Sequence, residues 1–111
     1  MSYAEYVEEA AKYADILKGI RRELHQMPEF GLENPLSTER CLASVHGLGE
    51  VFRSKRTSGA ALLIKGDLPG PTVLLRTDTD ALAVNEDTGL EFASTNGFMH
   101  ACGHDLHMAM A

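Results

Sequence analysis

Apolar residues recur at steps of three and four from Tyr3 through Tyr6, Val7, Ala10, Tyr13, Ala14, Leu17 and Ile20 to Leu24. That is a single apolar stripe, and it predicts an amphipathic helix over 3–26. Glu5, Glu8 and Glu9 fall in its first turns and Lys18, Arg21 and Arg22 near its end, the order that complements the helix dipole. Pro28 stops the helix shortly after His25. Residues 28–34, PEFGLEN, read as a loop. Asn34-Pro35 then reads as an N-cap followed by proline at the first helical position. Thr38, Cys41, Leu42, Val45 and Leu48 give the next stripe, and Gly47 and Gly49 end it, so a second helix is expected at about 35–46. Cys41 lies on that stripe and reads as a small buried apolar residue rather than a ligand.

Three β-like runs follow. Residues 51–57 alternate weakly, while 60–65 (AALLIK) and 72–76 (TVLLR) are continuous apolar runs joined by the turn signal GDLPGP. Continuous apolar strands are usually covered on both faces. The two helices can cover one face, and nothing evident in 111 residues covers the other. After Arg76 the pattern becomes polar loop, with a short strand expected around Leu90–Ser94. From about His104 the chain is rich in Ala, Met and Leu and reads as a starting helix without a stop signal. The expected fold class is α/β, with two N-terminal helices packed on a small mixed sheet. The uncovered face points to an incomplete chain or to a partner that covers it, and the unfinished last helix points to a chain that continues.

Composition narrows the class. The hydrophobic fraction is 44% and the charged fraction 23%, which suits a folded chain rather than a disordered one. No apolar run approaches the roughly 18–20 residues of a bilayer span. The acidic N-terminus lacks a secretory apolar core, and two cysteines cannot staple a secreted mini-protein, so a reducing, cytoplasmic setting is expected. Residues 1–76 hold ten basic and ten acidic side chains, which cancel. Residues 77–111 hold six acids and no Lys or Arg, so they carry the whole formal charge of −6. Such a segment argues against nucleic acid, whose phosphates need cations. It suits a bound metal cation that offsets the carboxylates.

Two constellations in that segment carry candidate chemistry. In His100-Ala101-Cys102-Gly103-His104-Asp105-Leu106-His107, thiolate, imidazole and carboxylate are all usual ligands of zinc and related divalent metals. Cys102 and His104 would point about 200° apart in a helix, but can share an ion in a loop jointed at Gly103. His104 and His107, three apart, would share one face of the helix that follows. Asp105 in its first turn is favoured by the dipole and can accept a histidine N–H. The second constellation, Arg76-Thr77-Asp78-Thr79-Asp80, directly follows an apolar run. Ligands of α/β proteins gather beyond such strand ends. Its two carboxylates would point to one side and repel unless a cation or an Arg compensates.

Three blocks carry a resemblance to a known family: Arg21-Arg22-Glu23-Leu24-His25-Gln26-Met27-Pro28-Glu29-Phe30-Gly31, Leu75-Arg76-Thr77-Asp78-Thr79-Asp80-Ala81-Leu82, and Gly97 to His107. In order and spacing the chain resembles the N-terminal part of the M20 metallopeptidases. The likeness is greatest to the amidohydrolase branch that includes hippurate hydrolases, indole-acetyl-amino-acid hydrolases and N-acyl-amino-acid deacylases. The resemblance places the family's cysteine and histidine metal ligands on Cys102 and His104 and its catalytic, metal-supporting aspartate on Asp78. Asp80, His100, Asp105 and His107 become supporting or substrate-side residues. It implies a two-metal site with zinc or manganese that polarises an amide carbonyl and acidifies a water. It also implies a glutamate general base. That glutamate belongs to a Glu-Glu pair beyond the cysteine–histidine block, and this sequence does not contain it. Ala83 stands where the family commonly has proline.

The expected function is therefore hydrolysis of N-acyl amino acids or similar small amides by a parent enzyme, a homo-oligomer. Residues 1–111 would be the N-terminal part of its catalytic domain, without the dimerisation domain, and inactive alone. The alternative is a non-catalytic metal-binding or partner-binding remnant or subunit. A stoichiometric ion on a monomer would favour that alternative.

Overall fold

The computed structural model describes all 111 residues, Met1–Ala111. Six elements follow in order: α1 (Tyr3–Ala11), α2 (Ala14–Gln26), α3 (Pro35–Ser44), β1 (Glu50–Arg53), β2 (Ala60–Leu63) and α4 (His104–Met110). The architecture is α/β, as the pattern of the sequence implies. No helix is long and apolar enough to cross a membrane.

The helix expected over 3–26 is two helices. Ser2 caps the first, its hydroxyl accepting the Glu5 N–H while the Glu5 carboxylate accepts the Ser2 N–H. At Lys12 and Tyr13 the ladder tightens: both N–H groups donate three residues back, to the carbonyls of Glu9 and Ala10. No proline or glycine causes this. The first half of the stripe meets nothing, for α1 buries no side chain and Tyr3 is 85% exposed. No packing holds the two halves in line, and short helices are marginal alone.

Asn34 stands at the N-cap of α3 with Pro35 in its first turn, but its side chain makes no capping bond. Glu29 does that work from the loop before. Its carboxylate accepts the N–H groups of Leu36 and Ser37 and the Ser37 hydroxyl. A carboxylate at a helix N-terminus satisfies orphan donors and complements the dipole. Asn34 instead ties two loops, donating to the Gly31 carbonyl and the Thr79 hydroxyl.

The sheet is a two-stranded antiparallel hairpin in which Glu50 faces Leu63 and Arg53 faces Ala60. It is shorter than the runs expected at 51–57 and 60–65. Gly49 enters it against backbone: a Cβ there would sit 2.2 Å from the Leu63 carbonyl oxygen. The run at 72–76 forms no strand. Val73 and Leu74 are both 86% exposed, and no segment of the chain pairs with them. Residues 90–94 form a turn closed by the Ala93 N–H on the Leu90 carbonyl. Parallel and antiparallel pairing both occur outside the hairpin, as single bridges joining Phe30 to Ala81 and Leu82 to Met99.

The main helix packing is α2 against α4 rather than helices on the sheet. Leu24, Pro28, Ala81, Met108 and Ala109 are the buried apolar residues. They lie among buried polar ones that include His25, Ser37, His100 and Asp105. The radius of gyration is 15.6 Å, above the roughly 13 Å of a compact domain of this length. The chain is a slab of 47 × 38 × 20 Å with a small, polar interior.

Candidate metal centre

Backbone pairing brings the two acidic and histidine-rich segments together. The Ala81 N–H donates to the Glu29 carbonyl at 2.7 Å, and Leu82 and Met99 exchange two N–H···O bonds of 2.9 Å. Residues 78–82 are thereby pinned beside the chain that leads into α4. At the start of α4 stands Gly103, with φ 101° and ψ 18°. A side chain would be strained at that angle. The left-handed residue turns the chain so that His104 begins the helix. His104 and His107, one turn apart, then stack with ring centroids 5.5 Å apart.

Asp78 faces both rings. His107 Nδ1 lies 2.9 Å from Asp78 Oδ1, and His104 Nε2 lies 3.4 Å from Asp78 Oδ2. Ligand atoms of Asp78, His104 and His107 all lie within 4.8 Å of one another. Asp80 supports the arrangement. Its backbone carbonyl and Oδ1 lie 2.8 and 3.0 Å from His104 Nδ1. Both are acceptors, so Nδ1 donates to Asp80 and Nε2 is the ring nitrogen turned toward Asp78. The hydrogen bond from His107, with the nearby charges of His104 and Arg76, holds the Asp78 carboxyl below the usual carboxylate range despite partial desolvation. Arg76 itself is largely exposed, 3.3 Å from Asp78.

The remaining sequence candidates lie around this group. Cys102 is exposed and stands outside the three-residue cluster, across Gly103 from His104. His100 is buried, and neither ring nitrogen has a partner. Burial pushes its pKa down, outweighing the opposing charge of Asp105. Asp105 is fully buried and turns away from the cluster. It accepts from Arg21 Nε and from His25 Nδ1, each at 2.7 Å. The other nitrogen of His25, Nε2, faces Glu86 Oε1 at 2.8 Å. Burial raises the Glu86 carboxyl, but hydrogen bonds from His25, the Ser94 N–H and Thr88 outweigh it and hold the pKa at about 2. His25, Arg21 and Glu86 carried no metal-type signal in the sequence. The one hint was that Arg21 and His25 stand in the first of the three family-like blocks.

The donor set suits a divalent ion. Imidazole is a borderline ligand and carboxylate a hard one, a mixture that zinc and manganese both accept. Their convergence within one ion's reach, with an outer acceptor fixing one tautomer, is the arrangement such ions need.

Comparison with known proteins agrees with this chemistry. Residues 74–111 match the model of peptidase family M20/M25/M40. The chain is 50% identical over 97 residues to the N-acetyldiaminopimelate deacetylase of Streptococcus sanguinis, covering 83% of this chain and 26% of that enzyme. It is 48% identical over 103 residues to the Streptococcus gordonii enzyme of the same name, covering 87% and 27%. Among solved structures, one from methicillin-resistant Staphylococcus aureus, described as an aminohydrolase, superposes with a TM-score of 0.84. It is 39% identical and covers 93% of this chain and 27% of that one. A Bacillus subtilis protein described as a dinuclear metal-binding peptidase of the M20 family gives a TM-score of 0.80. It is 35% identical and covers 89% and 29%. The chain belongs to the M20 peptidase family. It spans about a quarter of the length of the curated relatives it matches.

Proposed function

We propose that this chain forms one wall of the divalent-metal site of a metal-dependent amidohydrolase. The reaction is hydrolysis of the amide bond of an N-acyl amino acid or a similar small amide. Residues 1–111 are the N-terminal part of its catalytic domain. The observation that carries this reading is the convergence of Asp78, His104 and His107 in a chain of this family. The relatives are deacetylases by name, which favours an acetyl group over the benzoyl group of hippurate.

A bound zinc or manganese would supply Lewis acidity toward the amide carbonyl and a lowered pKa for the attacking water. The chain's own residues have these tasks. His104, with Nδ1–H held by Asp80, offers Nε2. His107 and Asp78 complete the donor group, and the exposed Cys102 thiol is available two residues before His104. In the overall change the amide C–N bond breaks, the water oxygen goes to the acyl carbon, and a proton goes to the departing amine. The proton carrier is a glutamate that another stretch of an M20 enzyme supplies. Loss of a general base costs roughly 10²–10⁴-fold in rate.

Equilibrium dialysis against Mn²⁺ or Zn²⁺ tests the metal reading. One retained ion per chain, lost in Asp78→Ala, is the expected result for an enzyme piece and for a metal-binding module alike, and no retained ion overturns the metal reading. Assay on N-acetyldiaminopimelate tests the remainder. Turnover by the 111-residue chain comparable to a full-length relative would reject the assignment of the base to another stretch.

A further inference from the structure

The most deeply buried set of ionisable side chains in the molecule lies outside the candidate metal cluster. His25 is 2% exposed. Its Nδ1 lies 2.7 Å from Asp105 Oδ2 and its Nε2 lies 2.8 Å from Glu86 Oε1, and the side chains of both carboxylates are 0% exposed. Arg21 Nε–H donates to the same Asp105 oxygen at 2.7 Å. Filling both contacts requires an N–H on each ring nitrogen. The ring is thus held from both sides between α2, the 86–94 loop and α4.

Such groups contribute little net stability, because desolvation offsets the attraction. What they fix is direction. Burial of Met108 and Ala109 holds α4 against α2, but apolar contact is not directional. Asp105 is the third buried residue of α4 and the only one with oriented bonds. It immediately follows His104, so its anchoring sets the rotation of a helix of seven residues that has little stability of its own. On the opposite side of that helix, His104 and His107 face Asp78.

We propose that His25, clamped between Glu86 and Asp105, is a positioning residue that sets the rotation of α4 and so aims His104 and His107 at Asp78. The proposal rests on the metal reading above for its consequence, but its geometric part stands without an ion.

Two readouts on the 111-residue chain test it with His25→Gln. The first is the ring ¹H–¹⁵N signals of His104 and His107 in the metal-free protein. They are expected to shift in His25→Gln while far-UV circular dichroism stays that of wild type. The second is titration with Co²⁺, followed by its visible absorption. His25→Gln is expected to bind roughly 10–100-fold more weakly, the usual size of an outer-sphere effect, with displaced bands. A residue needed only for folding would lower the melting temperature and leave the bands of the folded chain in place. Should His25→Gln not fold, Glu86→Ala removes one side of the clamp and is read in the same way, with the same signal shifts expected. Unmoved ring signals with unchanged Co²⁺ affinity overturn the clamp alone. Shifted ring signals with no Co²⁺ bound by wild type support the clamp's geometry and overturn the metal reading.

Discussion

The two ends of this slab are built on different terms. Where α2, α4 and residues 78–100 meet, His25, Ser94 and Asp105 are held by named partners, while both ring nitrogens of buried His100 have none. His25 alone touches two carboxylates, and Ser94 is bound through both its N–H and its hydroxyl. Around the hairpin and residues 72–76, the most apolar runs of the sequence lie in the open. Val73, Leu74 and Leu75 are 86, 86 and 74% exposed. Hydrogen bonds between segments 61 to 84 residues apart order the chemistry-bearing end within these 111 residues. The apolar end has no second layer, and apolar surface alone does not choose a conformation.

The largest effect that would sharpen the contrast falls on the cluster. Asp78→Ala and His104→Ala each remove a candidate ligand and should cost more metal affinity than the roughly 10–100-fold of an outer-sphere change. Isothermal titration with Mn²⁺ or Zn²⁺ checks this. Next comes Leu24, fully buried between α2 and α4. Leu24→Ala should destabilise by about 2–5 kcal/mol in urea unfolding.

The third effect is acid sensitivity. The folded Glu86 carboxyl sits at about 2 against an ordinary 4.5. The unfolded chain takes up that proton first, so stability is fully present above about pH 4.5 and is lost as pH falls toward about 2. Urea midpoints measured at steps between pH 6 and 3 should fall in wild type and flatten in Glu86→Gln. Removing the α3 cap with Glu29→Ala should cost about 0.5–2 kcal/mol, again by urea unfolding. Smallest of all, Leu74→Glu at the open end should change stability by no more than about 0.5 kcal/mol. A large loss there would break the contrast, because it would mean the run at 72–76 is packed in solution.

Periodicity made the helices legible wherever a helix has something to rest on. The stripe from Leu17 to Leu24 became α2, and the Asn34-Pro35 signal marked the start of α3 correctly while hiding the true cap, since Glu29 arrives from a loop. The break at Lys12 was invisible because no residue type encodes it. The run at 72–76 read as a strand because strand propensity measures fit to a half-buried surface, and that surface is not supplied here. At the candidate site, helical spacing was enough to place His104 and His107 on one face. Their meeting with Asp78 depends on the pairing of Leu82 with Met99, a long-range contact that local sequence does not announce. The His25 clamp was legible only as a histidine inside a motif.

The slab's thickness of 20 Å has a dynamic consequence. A helix with its side chains is about 10–12 Å across, so the molecule is two layers deep and its interior one side chain thick. Amide protons should therefore exchange with solvent deuterium at nearly local rates over most of the chain. Slow exchange should be confined to the seam where Leu24 and His25 meet Asp105 and Met108.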